Sequence, residues 1–92
     1  GDGYDDVLYI KYKLPFEYGL ITIQIFDVIG RTISAPFWNM YTAQENILTW
    51  DGRRTNGDLS RMGIYILKLT AKDQSGSKTW ENVQTIVLAK KL

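Results

Sequence analysis

Between Thr49 and Tyr65 the chain reads TWDGRRTNGDLSRMGIY, which sets Asp51, Asn56 and Asp58 beside Arg53, Arg54 and Arg61. Closely spaced carboxylates and amides could hold a calcium ion, and arginines among glycines could cradle a phosphate. An EF-hand loop needs oxygen ligands at alternate positions, yet from Asp51 the third and fifth positions are Arg53 and Thr55. A P-loop needs its glycines and a lysine to open a helix, and no helical pattern follows. Turn chemistry accounts for more of the stretch. Asp51-Gly52 and Asn56-Gly57 are dipeptides whose side chains mimic backbone and tolerate left-handed geometry. Gly63, just before IYILKL, would let the backbone pass closely or kink as a strand begins. Trp50 would plug the core at the end of the preceding strand. No turn requires Arg53, Arg54 or Arg61, so they are candidates for contact with a partner.

Other chemistry is restricted by what the chain lacks. It has no histidine and no cysteine, so the commonest general base, metal ligand and thiol nucleophile are all absent. Ser34, Ser60 and Lys68 stand in no context that would activate a nucleophile. Asp2, Asp5 and Asp6 read as a solvated run. Trp38, Trp80 and the tyrosines could form a sugar-stacking face, but aromatics of this kind more often fill a core or cover a sheet. The expectation is a non-catalytic domain without metal or cofactor.

The elements that must position these residues follow a period of two. In VLYIKYKLP, Leu8, Ile10, Tyr12 and Leu14 share one face, and Pro15 is expected to end the strand. GLITIQIFDV turns Ile21, Ile23 and Ile25 inward. DVIGR supplies a hairpin turn in which Gly30 can take positive φ. RTISAPFW leads away, with Pro36 marking an edge or a bulge. MYTAQ reads as a loop, and ENILTW as a strand with Ile47 and either Leu48 or Trp50 inward. GIYILKLTAK sets Tyr65, Leu67 and Leu69 against Ile64, Ile66 and Lys68. DQSGSK is a hairpin loop around Gly76, and TWENVQTIVLAKK returns as the last strand. No window carries a helical stripe. Short strands without helical crossovers predict an all-β, immunoglobulin-like antiparallel β-sandwich of about seven strands.

At 92 residues and 45% hydrophobic content the chain suffices for one apolar core. Residues 1–6 read as a flexible linker remnant and residues 7–92 as the domain, a piece of a longer chain. A net charge of +1 gives no field to recruit nucleic acid or an anionic membrane. No apolar run approaches the ~20 residues of a membrane span, and no signal peptide is visible.

Taken in order, YKLPFEYGLITIQIFDVIGR, LTWDGRRTNGDLSRMGIYILKL and TIVLAKKL resemble a family of bacterial immunoglobulin-like domains. One branch is the immunoglobulin-like domain of the flagellar hook-capping protein. The other is the C-terminal sorting domain of type IX secretion substrates. The resemblance runs from about Leu8 to Leu92. It falls on Leu14-Pro15, Gly19, Asp27, Gly30-Arg31, Gly63, Tyr65, Leu67, Leu69 and the tail from Val87 to Lys91. WDGR..NG, carried by Trp50, Asp51, Gly52, Arg53, Asn56 and Gly57, is more typical of the hook-cap branch. The sorting branch implies a module of a secreted or cell-surface protein that passes through the periplasm. Its accessible last strand, or the Lys90-Lys91 tail, would be read by translocation machinery. The hook-cap branch implies a structural assembly module, and a carbohydrate-binding or adhesion module is a further alternative. The expected partner is protein, either such machinery or upstream domains of the same parent chain, and the isolated domain is expected to be a monomer.

Overall fold

The computed structural model describes residues 8–53, 55, 60 and 62–88. Residues 1–7, Arg54, Asn56, Gly57, Asp58, Leu59, Arg61 and residues 89–92, with Lys90 and Lys91, lie outside the described set. Four strands are present among the described residues: β1 (Leu8–Asp27), β2 (Thr32–Trp50), β3 (Gly63–Asp73) and β4 (Thr79–Leu88). They form one antiparallel sheet in the order β2-β1-β3-β4.

The all-β antiparallel expectation stands, but the count of about seven becomes four. Pro15 does not end β1. It sits in a bulge between Lys13 and Tyr18 where β1 has no ladder partner on β2, so its missing N–H costs no hydrogen bond. MYTAQ is not a loop but part of β2, because Met40, Tyr41, Thr42 and Ala43 pair with Ile21, Leu20, Gly19 and Tyr18. Each of the two long strands thus joins two of the expected short ones.

The bulge also changes which face is buried. Before it, the inward residues are Ile10, Tyr12 and Leu14; after it, they are Ile21, Ile23 and Ile25. An odd number of added residues reverses the alternation, so both limbs of β1 can face one core. Leu67, Leu69 and Ala71 of β3, Ile86 and Leu88 of β4, and Ile33 and Trp50 of β2 complete that core. Two side-chain bonds hold the bend: Gln44 Nε2 donates to Leu14 O at 3.0 Å, and the Tyr12 and Thr42 hydroxyls bond to each other.

Both hairpins are closed by an aspartate. Asp27 Oδ1 accepts the N–H groups of Ile29 (3.0 Å) and Arg31 (2.9 Å), while Arg31 Nε donates to Oδ2 at 2.7 Å. Gly30 takes φ +100°, which a side chain would resist, and its N–H donates to Asp27 O. Asp73 repeats the device at the opposite end, accepting Lys78 N–H at 3.1 Å and the Ser75 hydroxyl at 3.0 Å.

These bonds hold both carboxyls below their usual value of 3.8. The Arg31 backbone N–H is the chief cause for Asp27, and the Lys78 backbone N–H for Asp73. Carboxyls depressed by folding stabilise the native state above the unfolded-state value, and that contribution disappears as pH falls through the folded-state value. Thermal melts followed by circular dichroism from about pH 5 down to about pH 2 should therefore show a falling Tm. The Asp27→Asn/Asp73→Asn variant should start a few degrees lower and fall less steeply.

Candidate functional site

Among the described residues, the stretch after β2 is held by the Trp50 indole, the Asp51 carboxylate and backbone hydrogen bonds. Trp50 is 3% exposed, and its indole Nε1 donates to Arg53 O at 3.1 Å. Asp51 Oδ1 accepts Arg53 N–H at 3.1 Å, the bond of an Asx turn, and Gly52 takes φ +80°. Ser60 N–H reaches back to Gly52 O at 2.8 Å, and Thr55 N–H donates to Ile33 O at 3.1 Å. Trp50, Asp51 and Gly52 thus have the structural roles their residue types predict. The second predicted turn, Asn56-Gly57, lies outside the described residues.

Of the predicted partner-contact residues, only Arg53 is described. Its guanidinium Nε stands 3.7 Å from Asp51 Oδ2, with both side chains more than half exposed. Asp51 therefore answers Arg53 with the same carboxylate that caps the turn. Among the described residues no group of three or more His, Cys, Asp or Glu could share a cation. Ser60 is buried, and its hydroxyl meets no hydrogen-bond partner there.

Gly63 opens β3 at φ +152° with open space where a Cβ would point, so close backbone approach is not its reason. Tyr65 is buried opposite Asp27 and Ile86. In β2 the expected inward Ile47 is exposed, and Trp50 is the buried member of the set. Ile47 pairs with the outward Lys11, whereas Trp50 pairs with Leu8 at the edge of the core.

The aromatics divide. Trp50, Tyr12 and Tyr65 are core residues, and Trp80 and Phe16 pack partly against it. Trp38 is 64% exposed, and Tyr18 stacks on Tyr41 with ring centroids 6.0 Å apart. An open cleft of about 440 Å³ crosses the outer face, lined by Leu20, Thr22, Asn39, Lys72, Trp80 and Glu81 among others. Asn39 adopts φ +50° in the bulge opposite Thr22, whose hydroxyl accepts its N–H at 3.1 Å.

Among the described residues, further exposed apolar side chains lie toward the other end of the sheet. Ile64 and Val87 are cross-strand partners on the outer face, and Ile66 and Phe26 are partners beside them. Ile64, Val83 and Val87 are more than half exposed, and Val87 reaches 64%. The β1–β2 turn adds Val28 and Ile29, the latter 75% exposed. Ile64 and Val87 adjoin across strands, the hairpin tip follows Asp27, which pairs with Tyr65 beside Ile64, and Val83 lies farther along β4 opposite Lys68. The alternation in GIYILKL places Ile64 and Ile66 on the outward face, opposite Tyr65 and Leu67.

No protein-family model matches this chain, and no curated protein matches it. Among solved structures the chain is similar to the crystal structure of FlgD from P. aeruginosa, with a TM-score of 0.69 and 19% sequence identity. The similarity covers 92% of this chain and 62% of that one, so this chain spans less than two thirds of its length. At that identity the likeness is one of fold.

Proposed function

We propose that this domain is a non-catalytic structural module that docks other proteins during assembly, as the hook-cap resemblance implies. The observation that carries the reading is the exposed apolar surface of Val28, Ile29, Ile64, Val83 and Val87. Single exposed apolar residues are ordinary, but a cross-strand apolar pair, Ile64 with Val87, near an exposed apolar hairpin tip is a mark of a protein interface. The likeness in fold to FlgD supports this reading over a catalytic one.

The sorting-domain reading draws on the same region. There the parent is a secreted or cell-surface protein, and translocation machinery reads β4 by strand addition together with the following Lys90-Lys91. The two readings differ in the partner, not in the surface.

The experiment is a double substitution, Ile29→Lys with Val87→Lys, in the parent protein. Both side chains are exposed, so the domain should keep its fold. Gradient sedimentation of host lysates should find the wild-type parent in a large complex and the variant outside it. A variant that still travels in that complex would overturn the assembly reading.

A further inference from the structure

Among the described residues the two edges of the sheet, β2 and β4, are not alike. The β2 edge is broken by four register shifts and carries Pro36, devices that keep an edge from accepting another strand. The β4 edge has neither. Its pairing with β3 runs without a shift from Gly63↔Leu88 to Lys72↔Thr79. Between residues 79 and 88 the sole ionisable side chain is Glu81. Lys68 Nζ lies 3.2 Å from its carboxylate, so the charge is answered from within the sheet. A regular, proline-free edge whose one charge is paired from within the sheet is a template for another strand.

The side chains of β4 specify what that strand can be. Antiparallel neighbours place directly opposed residues on the same face, so a two-fold axis through this edge must pass through a residue. An axis at Val83 opposes Val87 to Thr79 and Glu81 to Thr85. An axis at Gln84 opposes Val87 to Glu81. Only an axis at Thr85 opposes Val83 to Val87 in both directions, with Thr85 against its own counterpart. It also carries the two Glu81 side chains to opposite ends of the pairing. Valine pairs and a threonine pair are favourable cross-strand combinations.

We propose that β4 pairs antiparallel with β4 of a second copy of this chain about a two-fold axis through Thr85. Two four-stranded sheets then continue as one, and the valines exposed in the monomer cover each other. The proposal rests on the assembly reading, since it names the partner at the β4 end of the apolar surface. It departs from the expectation that the isolated domain is a monomer. Val28 and Ile29, at the hairpin tip, are left for a different neighbour.

A chain without cysteine makes the register directly readable. Thr85→Cys, Val83→Cys and Val87→Cys all fall on exposed positions of β4. Under mild oxidation with copper phenanthroline, Thr85→Cys should form disulfide dimer at least ~10-fold faster than either single valine variant, because only residues at the axis meet their own copies. The double variant Val83→Cys/Val87→Cys should form dimer as readily as Thr85→Cys. In sedimentation equilibrium the unsubstituted chain should rise from 10.6 kDa towards twice that mass with concentration, and Val83→Lys/Val87→Lys should hold it at the monomer. Equal cross-linking of the three single variants, or a monomer mass at every concentration, would overturn the proposal. A monomer whose parent still loses its complex in the Ile29→Lys/Val87→Lys variant would overturn self-pairing and leave the assembly reading standing. A dimer whose parent keeps its complex in that variant would do the reverse.

Discussion

Replacing Trp50 with alanine should unfold much of the population or bring the domain close to that point. The side chain is 3% exposed at the end of β2, where it closes the core beside Leu8 and Ile10. Truncating a buried tryptophan costs about 3–5 kcal/mol, against a total stability of roughly 5–15 kcal/mol for a domain of this size. Its indole also donates to Arg53 O, so alanine releases the first turn of the segment that joins β2 to β3. Trp50→Phe separates the two contributions. It keeps most of the apolar volume and loses the donor, for an expected cost of about 1–2 kcal/mol. Urea unfolding of the three proteins should give the order wild type, Trp50→Phe, Trp50→Ala. If Trp50→Ala were as stable as the wild type, the WDG turn would not be anchored through the core.

Gly19→Ala should be the next most damaging change, although it adds only one methyl group at a buried position. At this point β1 pairs with Thr42 of β2 on one side and Asp73 of β3 on the other. An added Cβ would stand 2.6 Å from Phe16 Cε2 and 2.7 Å from the backbone oxygen of Lys72. The phenyl ring can turn aside, but the carbonyl belongs to a ladder held on both flanks. Either β3 shifts or the pairing near Asp73 opens, and forced overpacking of this sort costs about 1–3 kcal/mol. A Tm lower by roughly 10 °C follows for a domain of this size. Hydrogen exchange should place the new fast-exchanging amides in Thr70–Asp73 and Gly19–Ile21. A melt unchanged by the substitution would mean that the glycine is not set by close approach.

The alternation of side chains was the most legible part of this fold. Ile10, Tyr12 and Leu14, then Ile21, Ile23 and Ile25, then Leu67 and Leu69 are buried as their spacing predicts. What spacing could not reveal is that the first two sets lie on a single strand. A proline and a run of mixed polarity look like strand ends when read locally. The bulge at residues 14–17 is set by tertiary pairing with β2, and it removes the need for the Pro15 N–H. Thr42, placed in an expected loop, is buried against Tyr12 for the same reason. Ile47 misled because its apolar type suggested the core, while its register with Lys11 turns it to solvent.

Of the site, the turn chemistry was legible and the docking surface was not. Asp27 and Gly30 mark a hairpin, and Asp73 with Gly76 carries the same four-residue spacing, in which the glycine is the plainer signal. The arginines drew attention because polar residues concentrate there, yet Arg53 contributes its backbone carbonyl to Trp50 and its side chain stands beside Asp51. The exposed apolar residues come from three separated segments, Val28-Ile29 in the β1–β2 turn, Ile64 in β3, and Val83 and Val87 in β4. Only the sheet order brings them together.

The measurement that tests the central claim most directly is the Ile29→Lys/Val87→Lys parent protein compared with a Tyr9→Lys control. Tyr9 is as exposed as those residues but lies on the limb of β1 that pairs only with β2. The double variant should melt within a few degrees of the wild type and sediment as free protein, while the control remains in the complex. Loss of the complex from the control alone, or from neither variant, would contradict a docking surface formed by the hairpin tip and β4.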